Sequence, residues 1–361
     1  MPPKLTRVTW ADLPGFGDDR VSDAWPALVV GCRALVAAPK TRTIWQRPCD
    51  AARLVDGRDD NAVRAYLRAH FSPYVIASTA GDVDGLVTGY YEPMLEGSRM
   101  RTDRYRTPLY GVPDDLVVVD LASLHPELAG KRVRGRLEGR RVVPYPPRGE
   151  IEKGHAPLAG KAIAWIADPL DAFFLQIQGS GRIALAEGGT LRLGYADQNG
   201  HPYRAIANVL IARGEMTLAQ ASLQSIREWA KSHPADVPAL LDENPSYVFF
   251  RELPAPLPGT LDARIDGPHG SLGVPLLARR TIAVDARSIP LGAPVWIATR
   301  SPVTGAPIER LVLAQDTGGA IRGAVRADFF WGSGRDAEDE AGRMRERGRL
   351  WMLWPIDAPL L

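Results

Sequence analysis

Cysteine is scarce in this 361-residue chain: Cys32 and Cys49 are the only two, with no CxxC spacing of the kind that holds a metal. They stand 17 positions apart and read either as one bridge formed in an oxidising compartment or as two buried free thiols. Long hydrophobic runs are missing too, since no stretch reaches the roughly 18 apolar residues of a membrane-crossing helix. Charge of one sign is also lacking. With 44 Lys and Arg against 42 Asp and Glu the net charge is +2, so no global field recommends nucleic acid as a partner. The arginine-rich stretches at 131–141 and 343–349 alternate with Glu, Gly and apolar residues and read as solvated faces. The first residues, Met1-Pro2-Pro3-Lys4-Leu5-Thr6-Arg7, contain no signal-peptide core, which leaves a cytoplasmic protein or one whose export signal has been removed. His70, His125, His155, His201, His233 and His269 are scattered without metal-ligand spacing, and no phosphate-binding loop is present. Neither a metal nor another cofactor is expected.

What the chain does have is punctuation. Its 35 glycines and 31 prolines fit many short strands and turns better than a helical bundle, and its length fits about two domains. A β-rich α+β fold is expected. Residues 1–75 read as mostly helical, with a helix over 21–38, a second helix near Cys49, and Asp60 capping a third over 61–71. Strands at 75–77 and 86–91, separated by Gly81 to Gly85, read as a hairpin. Between about 100 and 245 the pattern predicts strands at 108–111, 116–120, 173–183 and 190–195 and a hairpin over 131–143. Helices follow over 203–213, over 218–232 capped by Thr217, and over 235–243. From 246 short strands return, resembling 74–95 more than the middle, so the middle reads as an insertion.

Near the C-terminus, Ala314-Gln315-Asp316-Thr317-Gly318-Gly319-Ala320-Ile321 and Arg326-Ala327-Asp328-Phe329-Phe330-Trp331-Gly332 place two carboxylates in a glycine-broken apolar setting. An uninterrupted strand would put the two acids about 40 Å apart. Gly318, Gly319 and Gly323 let the chain turn back and bring them together. Aromatic neighbours can desolvate Asp328 and raise its pKa, which makes it the expected proton donor, while Asp316 in its turn is expected to stay ionised. Asp285, before Ile289-Pro290-Leu291-Gly292, reads as structural. Carboxyls near the mouth of a small β-barrel are the equipment of a glycosidic-bond cleaver.

Side chains suited to sugars lie elsewhere. Alternation points Thr88 and Tyr90 to one side of their strand and Gly89 and Tyr91 to the other. On the strand reading of 173–183, Gln176, Gln178 and Ser180 share a face, and Gly179 and Gly181 permit close backbone approach. Trp351 and Trp354 read as core; Trp331 could stack on a sugar or pack inside.

The ordered series Thr88-Gly89-Tyr90-Tyr91-Glu92-Pro93, Gln178-Gly179-Ser180-Gly181, Asn244-Pro245-Ser246-Tyr247-Val248-Phe249-Phe250, Ala283-Val284-Asp285 with Ile289-Pro290-Leu291-Gly292, Asp316-Thr317-Gly318-Gly319-Ala320-Ile321 and Asp328-Phe329 resembles the membrane-bound lytic murein transglycosylase A family. The resemblance runs from about 85 to 355. It implies a double-psi β-barrel, over 76–100 and 246–361, interrupted by a β-rich glycan-binding domain over 101–245, with residues 1–75 packed on the barrel. It also implies cleavage of the β-1,4 bond between N-acetylmuramic acid and N-acetylglucosamine without water. By motif position Asp328 is the implied catalytic acid and Asp316 its neighbour, with Thr88, Tyr90, Gln176, Gln178, Gly179, Ser180, Thr317, Gly318 and Gly319 as implied substrate contacts. The implied partner is peptidoglycan, with other cell-wall enzymes as further candidates, for a monomer in the periplasm. That setting favours the Cys32–Cys49 bridge. The family's lipoprotein signal is not found in these residues, so an outer-membrane anchor is left open.

Two other readings compete. Asp316-Thr317-Gly318 is also the local signature of an aspartic protease, which needs a second copy that this chain lacks. A non-catalytic glycan-binding wall protein would need no acid, yet all three aspartates are present.

Overall fold

The computed structural model describes residues 3–360 apart from 122, 126, 127, 129–132 and 219. Contacts divide the chain into two compact units, Met1–Glu92 with Ala255–Leu361, and Pro93–Pro254.

The first unit begins with β1 (Lys4–Arg7), then helices α1 (Trp25–Ala37), α2 (Pro39–Ala52) and α3 (Asp60–His70), then β2 (Phe71–Ala77) and β3 (Gly85–Glu92). Prolines in the first turns of α1 and α2 suit positions whose N–H groups have no intrahelical partner anyway. Asp59, not the expected Asp60, caps α3 by accepting from Asn61 N. Asp60 instead accepts from Ser22 N at 2.8 Å and ties α3 to the turn before α1.

Cys32 on α1 and Cys49 on α2 form a disulfide with their Cα atoms 5.5 Å apart. Closing a loop of this length restrains the unfolded chain by roughly 3 kcal/mol. Thermal melting with and without reductant should therefore show a clear loss of stability on reduction, and the Cys32→Ser variant should match the reduced protein.

The second unit runs through β4 (Met94–Ser98), β5 (Thr107–Tyr110), β6 (Val117–Val118), β7 (Arg134–Glu138), β8 (Arg141–Val143), α4 (Arg148–Glu152) and β9 (Ala162–Ile166). It continues with α5 (Pro169–Gln178), β10 (Ser180–Leu185), β11 (Thr190–Gln198), α6 (Ile206–Ala212), α7 (Leu223–Ser232), α8 (Val237–Asp242) and β12 (Val248–Leu253). Its main sheet has six strands in the order β12-β11-β10-β4-β9-β5. Strand β12 was expected with the strands after residue 246, yet it pairs antiparallel with β11 and stays with this unit. The expected hairpin over 131–143 is β7–β8, its residues 131 and 132 lying outside the described ones. Helix α7 starts later than expected because Ser222 caps it, whereas Thr217 bonds Gln220; residue 219 of that expected helix is not described.

The expected strand over 173–183 is a helix and a strand. Asp168 accepts from Leu170 N, Pro169 opens α5, and Gly179 closes it in a left-handed conformation at φ 78°. Phe173 and Phe174 pack on one side against α6, α7 and α8, while Ala172 and Leu175 pack on the other against the sheet. A helix packed on two sides is apolar nearly all round, which erases the period that would distinguish it from a buried strand.

The chain re-enters the first unit through α9 (Leu261–Ile265), β13 (Thr281–Val284), β14 (Pro294–Arg300), β15 (Pro307–Asp316), β16 (Arg326–Ser333), α10 (Arg335–Arg343) and β17 (Arg345–Pro355). Its sheet has eight strands in the order β1-β2-β17-β14-β15-β13-β16-β3, and β17 also pairs β3, so the order closes on itself. β2 and β3 do not form the expected hairpin. The long β17 pairs antiparallel with β2 through Trp351–Pro355 and with β3 through Arg345–Gly348. Ile282, Val295, Trp296, Val312, Phe329 and Met352 are wholly buried along these strands. Trp331, Trp351 and Trp354 are buried too, with Trp331 Nε1 directed at Met344 Sδ at 3.2 Å. Among the described residues no helix is long and apolar enough to cross a membrane.

Candidate active site

Five strands of the first unit bring chemistry to one level. Register pairs Asp316 of β15 with Ala283 of β13, Ala283 with Asp328 of β16, Asp328 with Thr88 of β3, and Thr88 with Arg345 of β17. Directly paired residues project from the same face of a sheet, so Asp316 and Asp328 stand two strands apart, about 10 Å between backbones, with only the small Ala283 between them. The aspartates that the sequence separates by 12 positions are thus neighbours in space.

Thr88 and Tyr90 face this row together. Thr88 Oγ1 donates to Asp328 Oδ1 at 2.5 Å, and Tyr90 OH donates to Asp316 Oδ2 at 3.1 Å. Gly89, between them, projects the other way, where a Cβ would sit 2.7 Å from Trp331 Nε1 and 2.8 Å from Ala341 Cα. Only glycine lets α10 lie against β3 at that point, which explains the glycine inside Thr88-Gly89-Tyr90.

Asp316 collects further donors. Its Oδ1 accepts from Ser271 N, Ser271 Oγ and Thr317 N, each at 2.9 Å. Ser271 arrives on a short turn whose Gly270 could not carry a Cβ, since one would stand 2.6 Å from Gln315 O. Gly318, half-buried, and Gly319, exposed, follow Thr317. Asp285, at the end of β13, accepts from Gly323 N at 3.0 Å and from Arg287 Nη2 at 2.8 Å, so it pins the loop joining β15 to β16. The Arg287 hydrogen bonds hold its carboxyl well below the usual carboxylate range.

Electrostatics separates the three acids. Burial pushes Asp328 up, and the charge of Asp316 adds to the rise, against the Thr88 hydrogen bond and the Arg326 charge, which lower it. Burial also pushes Asp316 up, although four hydrogen bonds oppose the shift. Tyr90 is held well above its ordinary value, by burial first and then by the two carboxylates. Asp316 and Asp328 are both half-buried residues.

Two residues at this site went unremarked in the sequence. Ser271 carries no local signal; it reaches Asp316 only through the fold. Arg326 was legible, because two positions along a strand return to the same face. Its Nη2 donates to Thr88 Oγ1 at 2.8 Å.

Gln176, expected to meet sugar, does something else. It is buried on α5, where Arg148 Nη2 donates to its Oε1 at 2.6 Å. Arg148 itself lies between Phe173 and Tyr247 and also donates to Ser246 O, so the amide completes a buried polar network. Gln178 ends α5, Gly179 caps it and Ser180 begins β10, so the shared strand face expected for these residues does not exist.

Residues 86–251 match the family model described as the MltA specific insert domain, and residues 280–354 match the 3D domain. Membrane-bound lytic murein transglycosylase A of Escherichia coli strain K12 is 34% identical over 275 residues, 74% of this chain and 64% of that protein. The chain therefore matches slightly under two thirds of that relative's length. A crystal structure of MltA from Neisseria gonorrhoeae is 36% identical, with TM-score 0.83, covering 98% of this chain and 93% of that one. E. coli MltA with bound chitohexaose is 26% identical, with TM-score 0.71, covering 99% of this chain and 95% of that one.

Proposed function

The chain belongs to the membrane-bound lytic murein transglycosylase A family, and from that premise we propose that it cleaves the β-1,4 bond between N-acetylmuramic acid and N-acetylglucosamine in peptidoglycan without water. The observation that carries this reading is the contrast between two neighbouring carboxyls. Asp316 receives four hydrogen bonds and serves as the anion; Asp328 receives one and serves as the acid.

Asp328 gives its proton to the glycosidic oxygen as the C1–O bond breaks and the N-acetylglucosamine leaves. The muramic acid becomes an oxocarbenium-like species, whose charge Asp316 and nearby dipoles meet. Asp328, now a carboxylate, takes the proton of the C6 hydroxyl while that oxygen bonds C1 and closes a 1,6-anhydro ring. The proton account closes with no water consumed. A hydrolase of ordinary design needs a second carboxylate as nucleophile or as base for water.

Thr88, Tyr90, Thr317, Gly318 and Gly319 are the proposed glycan contacts in the first unit, and Gln178, Gly179 and Ser180 in the second. Chitohexaose bound to the E. coli relative supports a β-1,4-linked amino sugar as the ligand. We read the self-closing sheet as a double-psi β-barrel, supported by the parallel pairs β13–β15 and β16–β3 within a mostly antiparallel sheet. The cell envelope is the proposed setting, since it holds the substrate.

Digestion of purified peptidoglycan, followed by borohydride reduction and mass spectrometry, tests the reading. Anhydro ends resist reduction and weigh one water less than reducing ends. Reducible ends alone would mean hydrolysis.

A further inference from the structure

Arg326 is half-buried on β16, two residues before Asp328 and on the same face. Among the described residues it forms no ion pair. Its Nη1 is directed at the carbonyls of Ala327 and Leu86, and its Nη2 donates to Thr88 Oγ1 at 2.8 Å. Burial lowers its pKa and the nearby Asp328 charge opposes that, so the half-buried guanidinium is held by hydrogen bonds to neutral oxygens and not by a close ion pair. Such an arrangement calls for a use.

The chemistry of donors supplies one. Arginine can only donate, so Thr88 Oγ1 must accept from it. The threonine hydroxyl hydrogen then needs an acceptor, and Asp328 Oδ1 at 2.5 Å is the one that the described residues provide. Asp328 Oδ2 has no hydrogen-bond partner among the described residues. We propose that Arg326 is a positioning residue that fixes the polarity of an Arg326–Thr88–Asp328 chain, keeping the acid's proton on Oδ2, the oxygen that gives it to the glycosidic bond and later regains one. This rests on the reading of Asp328 as the acid.

The groups facing Asp328 are few. Thr88 and Tyr90 face it from β3, Asp316 from β15, and Arg326 from its own strand, while β13 presents only Ala283. Arg345 of β17 stands in register with Thr88. Helix α10 packs behind the opposite face at Gly89, and its Glu340 and Asp339 are engaged by Arg279 and Arg343.

The test compares the wild type with Arg326→Met, Arg326→Lys, Thr88→Val and the Met/Val double variant. Readouts are the pH profile of kcat/KM, kcat and KM at the optimum, and the Asp328 carboxyl pKa followed by carbon NMR. Arg326→Met should lower kcat roughly tenfold, a part only of the factor of about 10² to 10⁴ that acid–base catalysis contributes, with KM little changed. Losing the cation and the oriented hydroxyl should raise the Asp328 pKa and move the alkaline limb up by about one pH unit. Thr88→Val should move it the same way, the double variant should move it by less than the two single shifts combined, because only the direct effect of the lost charge is left to add, and Arg326→Lys should restore most of both effects. An unmoved NMR pKa in Arg326→Met, or shifts that simply add in the double variant, would overturn the chain. Loss of the acid role itself would show separately, as an active Asp328→Asn enzyme, whatever the arginine does.

Discussion

Replacing Asp328 with asparagine should cut the release of anhydro-muropeptides by about 10³-fold or more, since the same group supplies both the acid and the base step. The substitution is nearly isosteric, and the new amide oxygen can still accept from Thr88 Oγ1, so the row of Asp316, Ala283, Asp328 and Thr88 keeps its geometry. Glycan binding should therefore survive, as measured by co-sedimentation with sacculi. Stability should not fall. Because burial raises the folded-state pKa of Asp328, its contribution to stability is fully present below its unfolded pKa and is lost as pH rises through the folded one. At neutral pH the asparagine variant no longer carries that penalty and should melt at the wild-type temperature or above. An enzyme that keeps full activity after this change has its acid elsewhere.

The second large effect belongs to Asp316. Asp316→Asn removes the negative charge that adds to the rise in the Asp328 pKa, so the acid should ionise at lower pH and the alkaline limb of kcat/KM should move down. Arg326→Met is expected to move the same limb up, and this opposition of sign separates the two roles. Removing the anion also takes away the group that meets the oxocarbenium-like charge, for an expected loss in kcat of about 10²-fold. A variant whose limb stays in place, with kcat unchanged, would reduce Asp316 to a brace for the Ser271 turn.

Much of this site is visible in the sequence because it is built from strands, whose period of two is simple. Thr88 and Tyr90 share a face, the glycines at 318, 319 and 323 permit the return from Asp316 to Asp328, and the aromatic neighbours of Asp328 announce its burial. Arg326 follows from the same alternation. Ser271 does not, because its approach to Asp316 depends on a turn that only the folded first unit defines.

Elsewhere local patterns mislead for physical reasons. Residues 173–178 are apolar on both sides because α5 packs between a helical layer and a sheet, and the signals that decide the matter, Asp168 as cap and Pro169 in the first turn, lie upstream. The short glycine-containing connection between β2 and β3 looks like a hairpin, yet each strand pairs instead with β17, from the far end of the chain. Gln176 reads as a sugar ligand only until Arg148, 28 residues earlier, takes its oxygen.

Digestion of peptidoglycan in water enriched with heavy oxygen tests the single-acid account most directly. The intramolecular route predicts muropeptide ends that carry no heavy oxygen, whatever the extent of cleavage. One heavy oxygen at each new muramic acid terminus would contradict it, because water and not the C6 hydroxyl would then have closed the reaction.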